Sequence, residues 1–446
     1  MFTLLAALAL ANDPFAVSAR TVTLPNGLIV VVEEQRRTDT VAVHLAYGVG
    51  ARDEAAKELG CAHLFEHLMF EKTAHIPQDS FDKWLTAAGG SNNAWTSEDT
   101  TAYHETFPSG ALDLVLFLES DRMGFLDTGL DEENLKNQIA VVLQERAEGY
   151  AEPGGRDWDA LTRLMWPADH PYHHPVIGEV GTVQGFTLSG VSEFWSTHYG
   201  PENAVLAIVG NIDADAAIAK AETWFSDVPA QNDWRFRESP TPLVPRTGPV
   251  FGSLEDDVEQ RSLYLAWRGP QHGHIDEPAL DVATAILSGG HGTRLDDSLV
   301  YDRSLANEVG SYASMGDLAG VLVFYVRADD TPLTKLREVV HKEIERLGRK
   351  GPNAEELERA RRSIRASMLL ELEDPAGRAG RIADCMKTAG RPDCDGAEWK
   401  RYEAVTAEQV ALAVRTWLDR ASVAALSVIP TGDDGALPGS APVDLP

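Results

Sequence analysis

The chain has 446 residues, 43% of them hydrophobic and 24% charged, a make-up typical of globular proteins and long enough for roughly two to four domains. Its 39 basic side chains stand against 69 acidic ones, a net charge of −30, which argues against a phosphate-binding surface and so against nucleic acid as a partner. The excess is compatible with cationic peptides as ligands, and equally with a plain solvated acidic surface.

Residues 2–11 form a short apolar run ending in Ala9-Leu10-Ala11, like the apolar core and cleavage site of a signal peptide, although no basic residues precede it. A periplasmic or secreted location is the expectation, with the cytoplasm as the alternative. No other stretch approaches the roughly 18 apolar residues of a membrane span. Of three cysteines, Cys385 and Cys394 can pair in an oxidising compartment, which leaves Cys61 over. There is no CxxC pair, so a cysteine-held structural zinc is not expected.

In chain order, residues 21–34 read as two strands about an Asn-Gly turn, and Val41–Tyr47 alternates as a third. A helix is expected from near Glu54 through the 60s, and a second over Ser80–Ala88, ended by Gly89-Gly90. Thr100–Phe107 alternates like a strand. Helical patterns follow at Leu112–Arg122 and Glu132–Tyr150, and Ala204–Gly210 reads as a buried strand. A Pro-rich polar stretch over 227–248 reads as a linker. Beyond it come a strand at 261–267, a helix at Pro278–Leu287, a strand at Gly320–Arg327, and long helices at Leu333–Leu347 and Ala354–Leu372. The similar order in both halves suggests an internal duplication. The expected division is an extension over 1–19, a first domain over 20–226, a second over 249–430, and a disordered tail from 431.

The stretch Gly60–Phe70 carries the chemistry. At about 100° per residue, His63, Glu66 and His67 share one narrow arc, while Leu64, Phe65, Leu68 and Met69 cover the opposite side. Two imidazoles at i and i+4 can ligate one metal ion, and the carboxylate between them can act as acid or base without being a ligand. The order His-x-x-Glu-His inverts the His-Glu-x-x-His zinc motif. In the 132–150 helix, Leu135, Ile139, Val142 and Leu143 make an apolar stripe, while Gln138, Val141, Glu145 and Glu148 share another face.

With His63-Leu64-Phe65-Glu66-His67, the Asn93-Ala94-Trp95-Thr96 segment and Val141–Glu145 in hand, the chain resembles the M16 metallopeptidases, the inverted zincins. His170–Gly178, Tyr199–Ala204 and Leu287–Leu295 resemble later landmarks of that family, so the likeness spans nearly the whole chain and is closest to the short two-domain members. The resemblance implies an α+β fold of two duplicated domains of the LuxS/mitochondrial-processing-peptidase type, each a mostly antiparallel sheet packed with helices. It implies one Zn2+ per chain held by His63, His67 and Glu145, the last 78 residues beyond His67. Glu66 would be the catalytic base of a zinc endopeptidase for peptides or unfolded segments. Asn93 and Ala94 match an edge strand that takes the substrate backbone by strand addition. Gln138 stands near the site where many members carry a glutamate.

The second domain departs from the pattern. Val300 stands where the family has an arginine and Asn307 where it has a tyrosine, a pair that reaches the substrate carbonyl, and neither can donate in that way. Either a neighbour such as Tyr301, Arg303 or Tyr312 substitutes, or this chain is the zinc subunit of a heterodimer whose paralogous partner supplies the pair; a homodimer is the other arrangement. A non-catalytic scaffold of the same fold is the alternative reading, against which the intact set His63, Glu66, His67 and Glu145 argues.

Overall fold

The structure is a computed structural model that describes residues 13–230 and 245–445. The apolar start at 2–11 and most of the expected linker lie outside the described residues. Two compact units form, and they are interleaved in sequence: one comprises Met1–Gln144, Pro175–Arg237 and Ser367–Glu398, the other Glu145–His174, Glu238–Ala366 and Trp399–Pro446. This corrects the expectation of two sequence-continuous domains, because each unit takes a segment from the other half of the chain.

The first unit is built on six strands: β1 (Ala19–Thr23), β2 (Ile29–Glu34), β3 (Thr40–Tyr47), β4 (Ser91–Thr96), β5 (Thr101–Pro108) and β6 (Ala204–Gly210). Their order is β1-β2-β6-β3-β5-β4, antiparallel throughout except for the β2–β6 pair. The β1–β2 hairpin turns at Asn26-Gly27, where Gly27 takes φ 96°. The apolar runs of β3 and β6 are buried because both faces of the sheet are covered. One face carries α1 (Cys61–Leu68), α2 (Ser80–Ala87), α3 (Leu112–Gly129) and the start of α4 (Glu132–Ala151). On the other face Ala379, Ile382, Ala383 and Met386 of the Pro375–Ala389 helix pack on Val31, Ala42, Ala46, Ala102 and Val205.

The second unit repeats the plan with β7 (Val250–Asp256), β8 (Arg261–Gly269), β9 (Glu308–Met315), β10 (Gly320–Ala328), β11 (Ala424–Pro430) and β12 (Ala441–Pro442), in the order β12-β7-β11-β8-β10-β9. The run β7-β11-β8-β10-β9 matches β2-β6-β3-β5-β4 in order and direction, as an internal duplication requires. Here the sheet is covered by Ala160, Leu161 and Met165 of the Asp157–Met165 helix. The expectation of a disordered tail is corrected: β12 pairs with β7, Asp433 forms two hydrogen bonds with Arg261, and Leu437 is buried. A stretch poor in apolar residues is ordered here through backbone pairing and ion pairs. Cys385 and Cys394 form a disulfide, and Cys61 is free and buried. No helix of the described residues is long and apolar enough to cross a membrane.

Candidate metal centre

Helix α1 starts at Cys61, later than the expected start near Glu54, because Gly60 takes φ 96° and breaks the turn before it. A Cβ on Gly60 would meet the Gly178 Cα at 2.8 Å, so only glycine fits this approach. The Glu54 carboxylate folds back over the helix start and accepts from the Gly60 and Ala62 N–H groups, both at 2.8 Å. Cys61, Ala62, Leu64, Phe65 and Leu68 are buried, and His63, Glu66 and His67 keep partial access. The split by faces read from the sequence is therefore the split that packing enforces. Phe65 sits against Phe194 and Tyr199, while the Tyr103 hydroxyl on β5 donates to the Phe65 carbonyl at 2.9 Å. The helix is thus fixed to the sheet midway between its two imidazoles.

The rings of His63 and His67 lie 5.0 Å apart. Helix α4 brings in Glu145, and one ligand atom from each of His63, His67 and Glu145 lies within 4.8 Å of the others. Three such atoms suit a single ion held at about 2.0–2.2 Å by two nitrogens and one oxygen. Burial, reinforced by neighbouring His67, brings the His63 pKa down to about 4, which favours the neutral imidazole that a metal needs. Among the described residues one other group has this proximity, Cys385, Cys394 and Asp395, and its two sulfurs are joined in the disulfide.

Glu66 stays outside the three-ligand group and accepts a hydrogen bond from the Thr96 hydroxyl at 2.8 Å. Thr96 ends β4, a role its place in the sequence motif did not disclose; the alternation of an edge strand was the available signal. On β4, Asn92, Ala94 and Thr96 are half-buried, whereas Ser91, Asn93 and Trp95 are exposed. Asn93 and Ala94 therefore lie on a strand that ends the sheet, with β5 as its neighbour. Gln138 does not join the three-ligand group. Its amide donates to Glu71, whose other oxygen accepts from Gln78 at 2.6 Å and Asn134 at 2.7 Å. A cavity of about 800 Å3 beside His67 is lined by Phe70, Glu71, Gln78, Asp79, Asp82 and Gln138 among others.

In the second unit, Asn307 donates to Asp329 at 3.0 Å. Tyr301 is exposed and stacked on His291, and Tyr312 meets Trp158 edge to face. Of the histidines in the 170–174 loop, His170 stacks on Trp166 and His173 bonds to the Trp166 carbonyl.

A sequence from Mycobacterium bovis described as an uncharacterised zinc protease is 30% identical over 438 residues, covering 96% of this chain and 97% of the relative. The chain belongs to peptidase family M16. The family model for insulinase (peptidase family M16) matches residues 29–171, and that for the peptidase M16 inactive domain matches 185–364. A Helicobacter pylori relative named zinc protease PqqE is 30% identical over 375 residues, 81% of this chain and 82% of its own length. Among solved M16-like structures, a protease from Helicobacter pylori superposes with a TM-score of 0.86 at 24% identity, covering 93% of this chain and all of that one. A structure described as the peptidase M16 inactive domain from Pseudomonas fluorescens gives 0.82 at 21% identity, covering 93% and 99%. The last two likenesses establish the two-domain M16 fold.

Proposed function

We propose that this M16 chain is a zinc-dependent endopeptidase for peptides or unfolded segments. The observation that carries the reading is the convergence of His63, His67 and Glu145, with Glu66 beside them and outside the ligand group. His63, His67 and Glu145 would hold the ion. An ion bound there would supply Lewis-acid chemistry, acidifying a water and polarising the scissile carbonyl. Glu66 would take the proton of the attacking water and pass it to the leaving amine, and Thr96 holds one of its carboxylate oxygens in place. The edge of β4 at Asn93 and Ala94 receives the substrate as an added strand, with main-chain bonds that select little for sequence.

The catalytic unit includes a paralogous M16 subunit that supplies an arginine and a tyrosine. The support is Val300 and Asn307 at the positions that would supply them, with Asn307 engaged by Asp329. The disulfide supports an oxidising compartment, periplasmic or extracellular. The test is metal content and cleavage of a quenched peptide, with and without chelator and with and without the paralogue. One zinc per chain and chelator-sensitive cleavage that rises with the partner are expected. Glu66→Gln should keep the zinc and lose turnover. A metal-loaded wild type that cleaves no peptide, alone or with the paralogue, would favour the scaffold reading; full activity from a proven monomer would remove the partner.

A further inference from the structure

Glu71 is 6% exposed, yet it lines the cavity of about 800 Å3 that shares His67 with the metal group. Both its oxygens accept hydrogen bonds: one from Gln138, the other from Gln78 and Asn134. Both carboxyl oxygens are thus engaged by side-chain amides rather than by a cation. The three donors are neutral amides, and among the described residues no lysine, arginine or histidine forms an ion pair with it. Lys72, the nearest cation in sequence, pairs with Asp131. Lys83, the lysine among the lining residues, is exposed and forms no ion pair with Glu71. A buried charge without a counter-ion is costly, and buried charges are ordinarily paired. Here a carboxyl without a cation partner faces open space large enough for a long side chain.

Two further acids outnumber Lys83 in the lining. Asp79 and Asp82 of the α2 region line the cavity, and Asp82 accepts from Asn92 of β4 at 2.7 Å, which holds it beside the strand edge. Phe70 and Ala87 give apolar wall for a methylene stem. On β4, Thr96 bonds Glu66 and Asn92 bonds Asp82, so one face of the strand runs from the proposed base to the cavity. A chain added along β4 sends alternate side chains to this face. We infer that the cavity is a specificity pocket for a lysine or arginine side chain close to the scissile bond, with Glu71 as its counter-ion. Glu71 is thereby a specificity-determining residue, and Gln138 serves to hold its carboxylate in place.

The inference rests on the peptidase reading, and the experiment separates the two. Quenched peptides carrying arginine, or its uncharged isostere citrulline, at each position flanking the cleaved bond are assayed with the zinc-loaded protein and its paralogue. At one position arginine should exceed citrulline by about tenfold or more in kcat/KM, which corresponds to about 1.4 kcal/mol or more. In Glu71→Gln this ratio should fall below about threefold. As a measurement on the wild type alone, butylguanidinium should inhibit cleavage of the citrulline peptide and butylurea should not. Cleavage by the wild type with no arginine preference at any position overturns the inference and leaves the peptidase reading standing. So does a ratio that survives in a folded Glu71→Gln protein, or equal inhibition by the two small molecules. No cleavage of any peptide overturns both.

Discussion

Beneath α1, the side chains of Arg122, Glu105 and Glu119 are all fully buried. Arg122 bonds Glu119 through Nε at 2.8 Å and Glu105 through Nη2 at 3.0 Å, and its guanidinium lies against the rings of Tyr103, Phe81 and Phe70. Arg122→Met would leave two acids facing each other without a cation, a change that costs about 3–5 kcal/mol when one partner of a buried pair is removed. That is a large share of a total stability on the order of 5–15 kcal/mol. Glu105→Gln should act very differently. Burial and the adjacent Glu119 hold the Glu105 carboxyl well above the usual carboxylate range, which favours its protonated form in the folded protein. An amide replaces a neutral acid at little expense, about 1 kcal/mol or less. The sign follows: above pH 4.5 the folded chain holds a proton that the unfolded chain has released, so this group's contribution declines as pH rises. Urea unfolding at pH 5 and pH 8, followed by tryptophan fluorescence, measures both effects. Arg122→Met should be strongly destabilised at either pH, and Glu105→Gln should gain relative to wild type at pH 8. An Arg122→Met protein within 1 kcal/mol of wild type, or a Glu105→Gln protein as damaged as Arg122→Met, would refute this account.

Thr96→Val removes the donor to Glu66 and should lower kcat by about tenfold while zinc content stays constant; unchanged kcat would leave Thr96 without a role. His44 is 8% exposed and stacked on His104, and burial brings its pKa down to about 4. Its contribution is present above pH 6.5 and lost as pH falls toward 4, so His44→Phe should flatten the acid limb of a stability–pH curve by up to about 1.4 kcal/mol per pH unit. The Cys385–Cys394 bridge closes a loop of 9-residue separation, so replacing both by serine should cost about 2–3 kcal/mol, read as a lower Tm that matches reduced wild type.

The meeting of His63, His67 and Glu145 was the most legible part of the sequence. The i and i+4 imidazoles and the polar face of α4 are local patterns, and a helix shows its faces through side-chain spacing alone. β6 was legible to the residue because a run buried on both faces is continuously apolar. What stayed hidden depends on contacts distant in sequence. β9 and β4 mix polar and small residues and become strands through pairing with β10 and β5. β12 is two residues long and owes its place to β7. The network joining Glu71 to Gln78, Asn134 and Gln138 spans 67 residues, so Gln138 read alone signals only a missing charge. The interleaving of the two units leaves no mark in composition or periodicity, since the Pro375–Ala389 helix is amphipathic wherever it docks.

That interleaving sets the timing of folding during synthesis. The last strand of the first sheet ends at Gly210, but the helix that covers its second face ends at Ala389, 179 residues later. At about 5–20 residues per second, Val31, Ala42, Ala46, Ala102 and Val205 stay wet for roughly ten to forty seconds after their sheet could first assemble. Nearly the whole polypeptide must emerge before its first unit closes. A nascent chain of this design remains open to chaperones until the end, and a gene fragment encoding only its first half yields a sheet with one bare apolar face.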